Sequence, residues 1–150
     1  MTTELSRLFD EYAVYHRHPM NKLCHYVGIP LIVLTSVGLL ARVSLALALV
    51  IAVLVVLYDL RLSVKLTVPF AILILVSFPI ARYLPVSVLW AGFIVGWVLQ
   101  FVGHMVYEKR SPAFFTNVRQ LLVGPLWIIG TLGAPRSTLL ESPGKARLEG

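Results

Sequence analysis

The stretch YVGIPLIVLTSVGLLARVSLALALVIAVLVVLY, Tyr26 to Tyr58, carries one charged residue, Arg42, in 33 positions. No ordinary globular core needs so long an apolar run, and the arginine divides it into two membrane spans. Outward from it, Leu66–Ala81 and Tyr83–Tyr107 are also free of charge and bring the count to four spans. Three of the four runs have 16 residues, about 24 Å of helix against a hydrocarbon core of about 30 Å, so they borrow flanking residues whose charges reach the interface. The composition agrees. Of the 150 residues 58% are hydrophobic and 13% charged, and the mean hydropathy is +0.84; a soluble domain carries about 25% charge. Disorder is excluded, and the single cysteine, Cys24, excludes an internal disulfide or a thiolate cluster.

The expected fold is therefore an all-α polytopic membrane protein of about four transmembrane helices, one helical domain over 1–136 followed by a polar, disordered tail over 137–150. Before the first span, Leu5, Leu8, Phe9 and Tyr12 recur at helical spacing among Arg7, Asp10 and Glu11, which predicts an amphipathic helix lying on the membrane or against the bundle. No secretory signal is visible in this polar N-terminus. After the fourth span, Ser111 and Pro112 read as an N-cap and a first-turn proline, so a last helix carrying Asn117 and Gln120 should begin there. The apolar stretch Leu121–Pro135 is interrupted by Gly124, Pro125, Gly130 and Gly133 and reads as interfacial or re-entrant. Trp90, Trp97, Trp127, Tyr26, Tyr58 and Tyr83 read as interface belt residues, Gly92 and Gly96 as a helix contact.

Net charge is +6, but no basic face interleaved with aromatics suggests nucleic acid as a partner. The positive charge sets topology instead. With four spans, 11 of the 13 basic residues fall on the side of the termini, and only Arg42 and Arg82 on the other. The positive-inside rule then places both termini in the cytoplasm. A bacterial inner membrane suits the chain, or the endoplasmic reticulum membrane in a eukaryote.

All four histidines lie at the cytoplasmic ends of spans. His16, His18 and His25 fall in HRHPMNKLCH before the first, and His104 near the end of the fourth. Topology brings them to one depth. Imidazoles that converge suit iron, zinc, copper or nickel, and ionisable groups beside membrane spans are functional candidates. Pro19 biases His18 away from helix. Gln100, His104 and Glu108, spaced i, i+4, i+8, share a helical face; Asn21 and Asn117 are further polar candidates at this layer. A packing role for the histidines, as hydrogen-bonded anchors, stays open on composition alone. No GxSxG elbow, phosphate loop or CxxC pair is present, and the second and third spans read as hydrocarbon walls.

Two blocks, Tyr12–Ile32 and Gly96–Ile128, cover 54 residues and resemble the Mpo-type family of small multi-pass membrane proteins, which includes the fungal endoplasmic-reticulum 2-hydroxy fatty acid dioxygenase of phytosphingosine α-oxidation. His16, Pro19, Asn21, His25, Gly28 and Pro30 match the first block; Gln100, Gly103, His104, Glu108, Pro112 and Ala113 match the second. His18 stands where the family pattern has asparagine. The resemblance implies an Fe2+-dependent dioxygenase that takes a 2-hydroxy fatty acid and O2 and returns a fatty acid one carbon shorter. It implies His16, His25 and His104 as metal ligands with His18 as a possible fourth, and Glu108, Gln100 and Asn21 in supporting catalytic roles. Arg17, Lys22 or Arg110 is positioned to meet the substrate carboxylate, and membrane lipids surround the whole. Two alternatives remain: a non-catalytic lipid-binding or scaffold protein, and a zinc-dependent membrane hydrolase with Glu108 as base.

Overall fold

Short polar punctuation, not a change of composition, decides where each helix begins and ends. The computed structural model describes residues 2–133 except 116; the expected tail at 137–150, with Lys145 and Arg147, and Arg136 lie outside the described residues. The helices are α1 (Thr3–Val14), α2 (Pro19–Val43), α3 (Leu45–Leu62), α4 (Val64–Tyr83), α5 (Val86–Val102) and α6 (Arg119–Leu132), with a π turn (Gly103–Glu108) and a 3-10 turn (Ala113–Phe115) between the last two. No strand occurs among the described residues. Four helical segments, α2, α3, α4 and α5 with its π turn, are long and apolar enough to cross a membrane.

The first span starts earlier than the apolar run alone suggests. His18 is extended (φ −73°, ψ 131°) and its side chain accepts the Met20 N–H, while Pro19 occupies the first turn, so α2 takes in Asn21, Cys24 and His25 before the lipid-facing part begins. Extended Ser44 ends α2 and caps α3 through the Leu47 N–H, and extended Ser63 separates α3 from α4. Within the two middle spans the inward side is not pure hydrocarbon. Thr67 and Ser77 are fully buried and bond carbonyls of their own helix, and Asp59 is fully buried too.

Helix α2 packs against α3, α4 and α5. Lipid supplies no hydrophobic drive between helices, so close backbone approach matters. Gly96 on α5 permits it: a Cβ there would lie 2.7 Å from Ile32 Cγ1 and 3.2 Å from the Gly28 carbonyl oxygen. The expected glycine contact is thus a helix crossing. It sets the start of α2 beside the end of α5, with Asn21 and His25 level with Gln100 and His104.

Helix α1 takes the second of its two expected arrangements. It packs on α6, burying Leu5, Leu8 and Tyr12, and Thr2 both caps α1 and donates to the Leu62 carbonyl at the end of α3. The last helix begins at Arg119, not at Ser111. The reason lies in the connection: the π turn stops at left-handed Lys109 (φ 53°), Phe114 settles on Trp97 with ring centroids 5.5 Å apart, and the Asn117 side chain accepts the Arg119 N–H, an Asx turn that starts the helix. Its 14 residues span about 21 Å, too short to cross. Trp127 is no belt residue. It is 4% exposed and packs beneath Tyr12 at 5.0 Å.

Candidate metal centre

His16 follows the last turn of α1, His25 sits in the second turn of α2, and His104 lies in the π turn that widens the end of α5. All three are buried, and each offers a ring nitrogen within 4.8 Å of the others. Their rings meet edge to face, with centroids 4.4 Å apart for His16 and His25, 4.7 Å for His16 and His104, and 4.8 Å for His25 and His104. A π turn in an otherwise α-helical span commonly marks a functional site. Here it carries a histidine.

Hydrogen bonds fix which nitrogen of the His16 and His25 rings faces inward. His16 Nδ1 lies 2.6 Å from the Tyr12 carbonyl oxygen and His25 Nδ1 2.9 Å from that of Asn21. A carbonyl only accepts, so both Nδ1 atoms carry the proton and both Nε2 atoms present lone pairs. Those two lone pairs face each other at 3.0 Å. Two acceptors at that distance repel unless something positive lies between them, and a metal with bonds of about 2.0–2.1 Å to each nitrogen satisfies both. His104 Nδ1 is also buried and has no hydrogen-bond partner among the described residues. An imidazole whose second nitrogen donates its N–H to a backbone carbonyl is the usual supporting arrangement of a metal ligand. The donor set is three nitrogens and no thiolate, which fits iron, zinc, copper or nickel.

The surroundings hold this geometry. The Tyr12 ring stacks on His16 at 3.8 Å with the planes 2° apart, and Trp127 flanks His16 from α6 at 5.3 Å. Asn21 is fully buried and its amide donates to the Tyr15 carbonyl (3.0 Å) and to Glu108 Oε1 (3.2 Å). Glu108 also accepts the His18 N–H at 2.6 Å. This carboxylate thus ties the start of α2 to the end of the π turn. Gln100 lies one turn from His104, is buried, and points its amide nitrogen towards the Cys24 carbonyl at 3.5 Å.

The structure thus brings together His16, His25 and His104, with Asn21, Glu108 and Gln100 around them. It does not bring His18 into the group. That side chain is exposed, spends a ring nitrogen on capping α2 and stacks on Tyr107 at 5.1 Å. Arg17 and Arg110 are exposed, and neither they nor Lys22 lines the cavity beside the histidines. Tyr12, Trp127 and Gln120 are neighbours that sequence reasoning did not assign to the site. Tyr12 had a signal, as the residue one helical turn before His16; Trp127 had none.

That cavity has a volume of about 210 Å³. His16, His104, Gln100 and Gln120 contribute to its lining, and Ile29, Ile32, Val33, Trp97 and Phe114 give it apolar walls. Ile32 and Val33 lie seven and eight residues beyond His25 on α2, which carries the cavity roughly 11 Å into the span.

Burial, reinforced by the neighbouring His25, drives the His16 pKa from 6.5 down to about 2, against the opposing Tyr12 hydrogen bond. The ring is neutral in the folded protein throughout the physiological range. Because the unfolded chain takes up a proton below about pH 6.5 and the folded one does not, this histidine's contribution to stability is complete above that pH and falls as the pH drops below it. Thermal unfolding of metal-free protein should therefore be insensitive to pH between 7 and 8 and lose stability steadily from 6.5 to 5. A midpoint that rises on acidification would contradict the buried, neutral state.

The chain matches the family described as 2-hydroxy-palmitic acid dioxygenase Mpo1-like over residues 2–134. It is 32% identical over 144 residues to the 2-hydroxy-palmitic acid dioxygenase MPO1 of Saccharomyces cerevisiae, covering 79% of this chain and 73% of the yeast protein. No solved structure matches.

Proposed function

The chain belongs to the Mpo1-like family, and from that membership we propose that it is an Fe2+-dependent membrane dioxygenase that shortens 2-hydroxy fatty acids by one carbon. The observation that carries the metal part of this reading is the pair of Nε2 lone pairs facing each other at 3.0 Å, with a ring nitrogen of His104 within 4.8 Å of both ligand positions. His16, His25 and His104 would hold the ion. When bound, iron supplies the one-electron chemistry that O2 requires and open positions for substrate oxygens.

The rest is the work of the chain. Tyr12 and Asn21 carbonyls hold the His16 and His25 rings in the tautomer that presents Nε2. Asn21 and Glu108 hold the π turn, and with it His104, against the start of α2. Ile29, Ile32, Val33 and Trp97 offer an alkyl chain a water-poor wall, worth about 0.8 kcal/mol per methylene buried. With no Lys or Arg among the described residues that line the cavity, a bound metal would supply the countercharge of the substrate carboxylate in place of the cations suggested by sequence. The Lys/Arg asymmetry of the chain supports a cytoplasmic orientation for this end of the bundle.

Overall, the C1–C2 bond of the 2-hydroxy acid breaks, C1 leaves as CO2, C2 becomes the new carboxyl carbon, and O2 takes the four electrons released, with one water formed. No external reductant is required. The test is elemental analysis of detergent-purified protein together with mass spectrometry of 2-hydroxypalmitate incubated with it in air. Stoichiometric iron, O2 uptake and pentadecanoate are expected. Zinc in place of iron, with no O2 uptake by protein reconstituted with Fe2+, would overturn the reading.

A further inference from the structure

Gln120 stands in the first full turn of α6, is 5% exposed, and lines the same cavity as His16, His104 and Gln100. Its amide nitrogen lies 3.4 Å from Glu11 Oε2 on α1. A carboxylate can only accept, so Glu11 selects the nitrogen and leaves the amide oxygen as the free end. Glu11 is itself anchored, its other oxygen pairing with Arg7 at 3.2 Å. The Gln120 oxygen is buried and has no hydrogen-bond partner among the described residues. Such an orphan is costly, and native proteins keep few of them without a use.

What this atom lacks is a donor. A 2-hydroxy fatty acid at neutral pH has one: its carboxylate only accepts and its alkyl chain does neither, so the 2-hydroxyl is the group that can satisfy the Gln120 oxygen. The carbonyl dipole at the same time disfavours a carboxylate turned into that position. Resting on the substrate class proposed above, we propose that Gln120 is the specificity residue that reads the 2-hydroxyl, accepting its hydrogen bond and so distinguishing 2-hydroxy acids from ordinary fatty acids. A site built to bond a hydroxyl penalises the analogue without one because its own polar group stays unpaired.

The test is binding, read by fluorescence of the purified protein, since Trp97 lines the cavity. Wild-type protein should bind 2-hydroxypalmitate at least ~10-fold more tightly than palmitate, and Gln120→Leu should weaken the first ~10-fold while leaving palmitate unchanged or tighter, with the metal content intact. If Gln120→Leu fails to fold, Glu11→Ala on the outer side of α1 removes the acceptor that holds the amide nitrogen and should shrink the preference several-fold. A preference undiminished in whichever variant folds would overturn the assignment and trace the selectivity to the metal. That failure is distinct from failure of the functional reading, in which wild-type protein neither converts 2-hydroxypalmitate nor prefers it.

Discussion

His104→Ala will remove the metal and the activity together and leave the fold standing. The other two histidines of the group are part of the architecture, since each donates from Nδ1 to a carbonyl and His16 also carries the Tyr12 stack. His104 Nδ1 has no hydrogen-bond partner among the described residues, so its loss breaks no hydrogen bond of that nitrogen there. Removing a supporting residue around a metal costs about 10–100-fold in affinity, and removing one of three ligands should exceed the upper end of that range. Metal per chain, measured by elemental analysis, should fall below a tenth of the wild-type value, and turnover with it. The metal-free variant should melt within about 2–4 °C of metal-free wild type, the shift that roughly 1 kcal/mol produces in a chain of this size. Full metal content in the variant would remove His104 from the centre.

Asn21→Ala will damage both stability and metal affinity. The amide is fully buried and serves two acceptors, the Tyr15 carbonyl and the Glu108 carboxylate. Its removal leaves both short of a donor, at a cost of about 1–3 kcal/mol, and frees the junction that holds the π turn against α2, with a further loss of about 10–100-fold in metal affinity. Glu108→Gln is the control. A glutamine oxygen can still accept from the His18 N–H and the Asn21 amide, so metal affinity should change by less than ~10-fold. The two effects separate in a denaturation series run with and without Fe2+. If Glu108→Gln were the more damaging change, the charge of Glu108, not its place in the junction, would be what the site needs.

How much of this was legible in the sequence follows from what each feature depends on. The four spans were readable because a bilayer imposes a length and a composition on any helix that crosses it. The convergence of His16, His25 and His104 was readable for a related reason: a residue's distance from the end of a span is also its depth. Ring orientation was not readable, because it depends on which carbonyl lies beside which nitrogen. His18 shows the same limit from the other side. Its spacing and depth matched those of its neighbours, but Pro19 turned its backbone extended and made it a helix cap. The α6 region was the least legible. A 14-residue helix broken by Gly124 and Pro125 carries little periodic signal, so the packing of Trp127 and the place of Gln120 emerged only from tertiary contacts.

The stack of Tyr12 on His16, with Trp127 behind both, has a consequence for how the molecule is made. His16 is delivered by the end of α1, and its seat is completed by α6, about a hundred residues further along the chain. While the spans insert one after another, α1 waits without the α6 surface on which Leu5, Leu8 and Tyr12 are buried. The packing around His16 is therefore complete only once the chain has been synthesised through α6, so an ion held with the full stack behind it would report that α6 has docked.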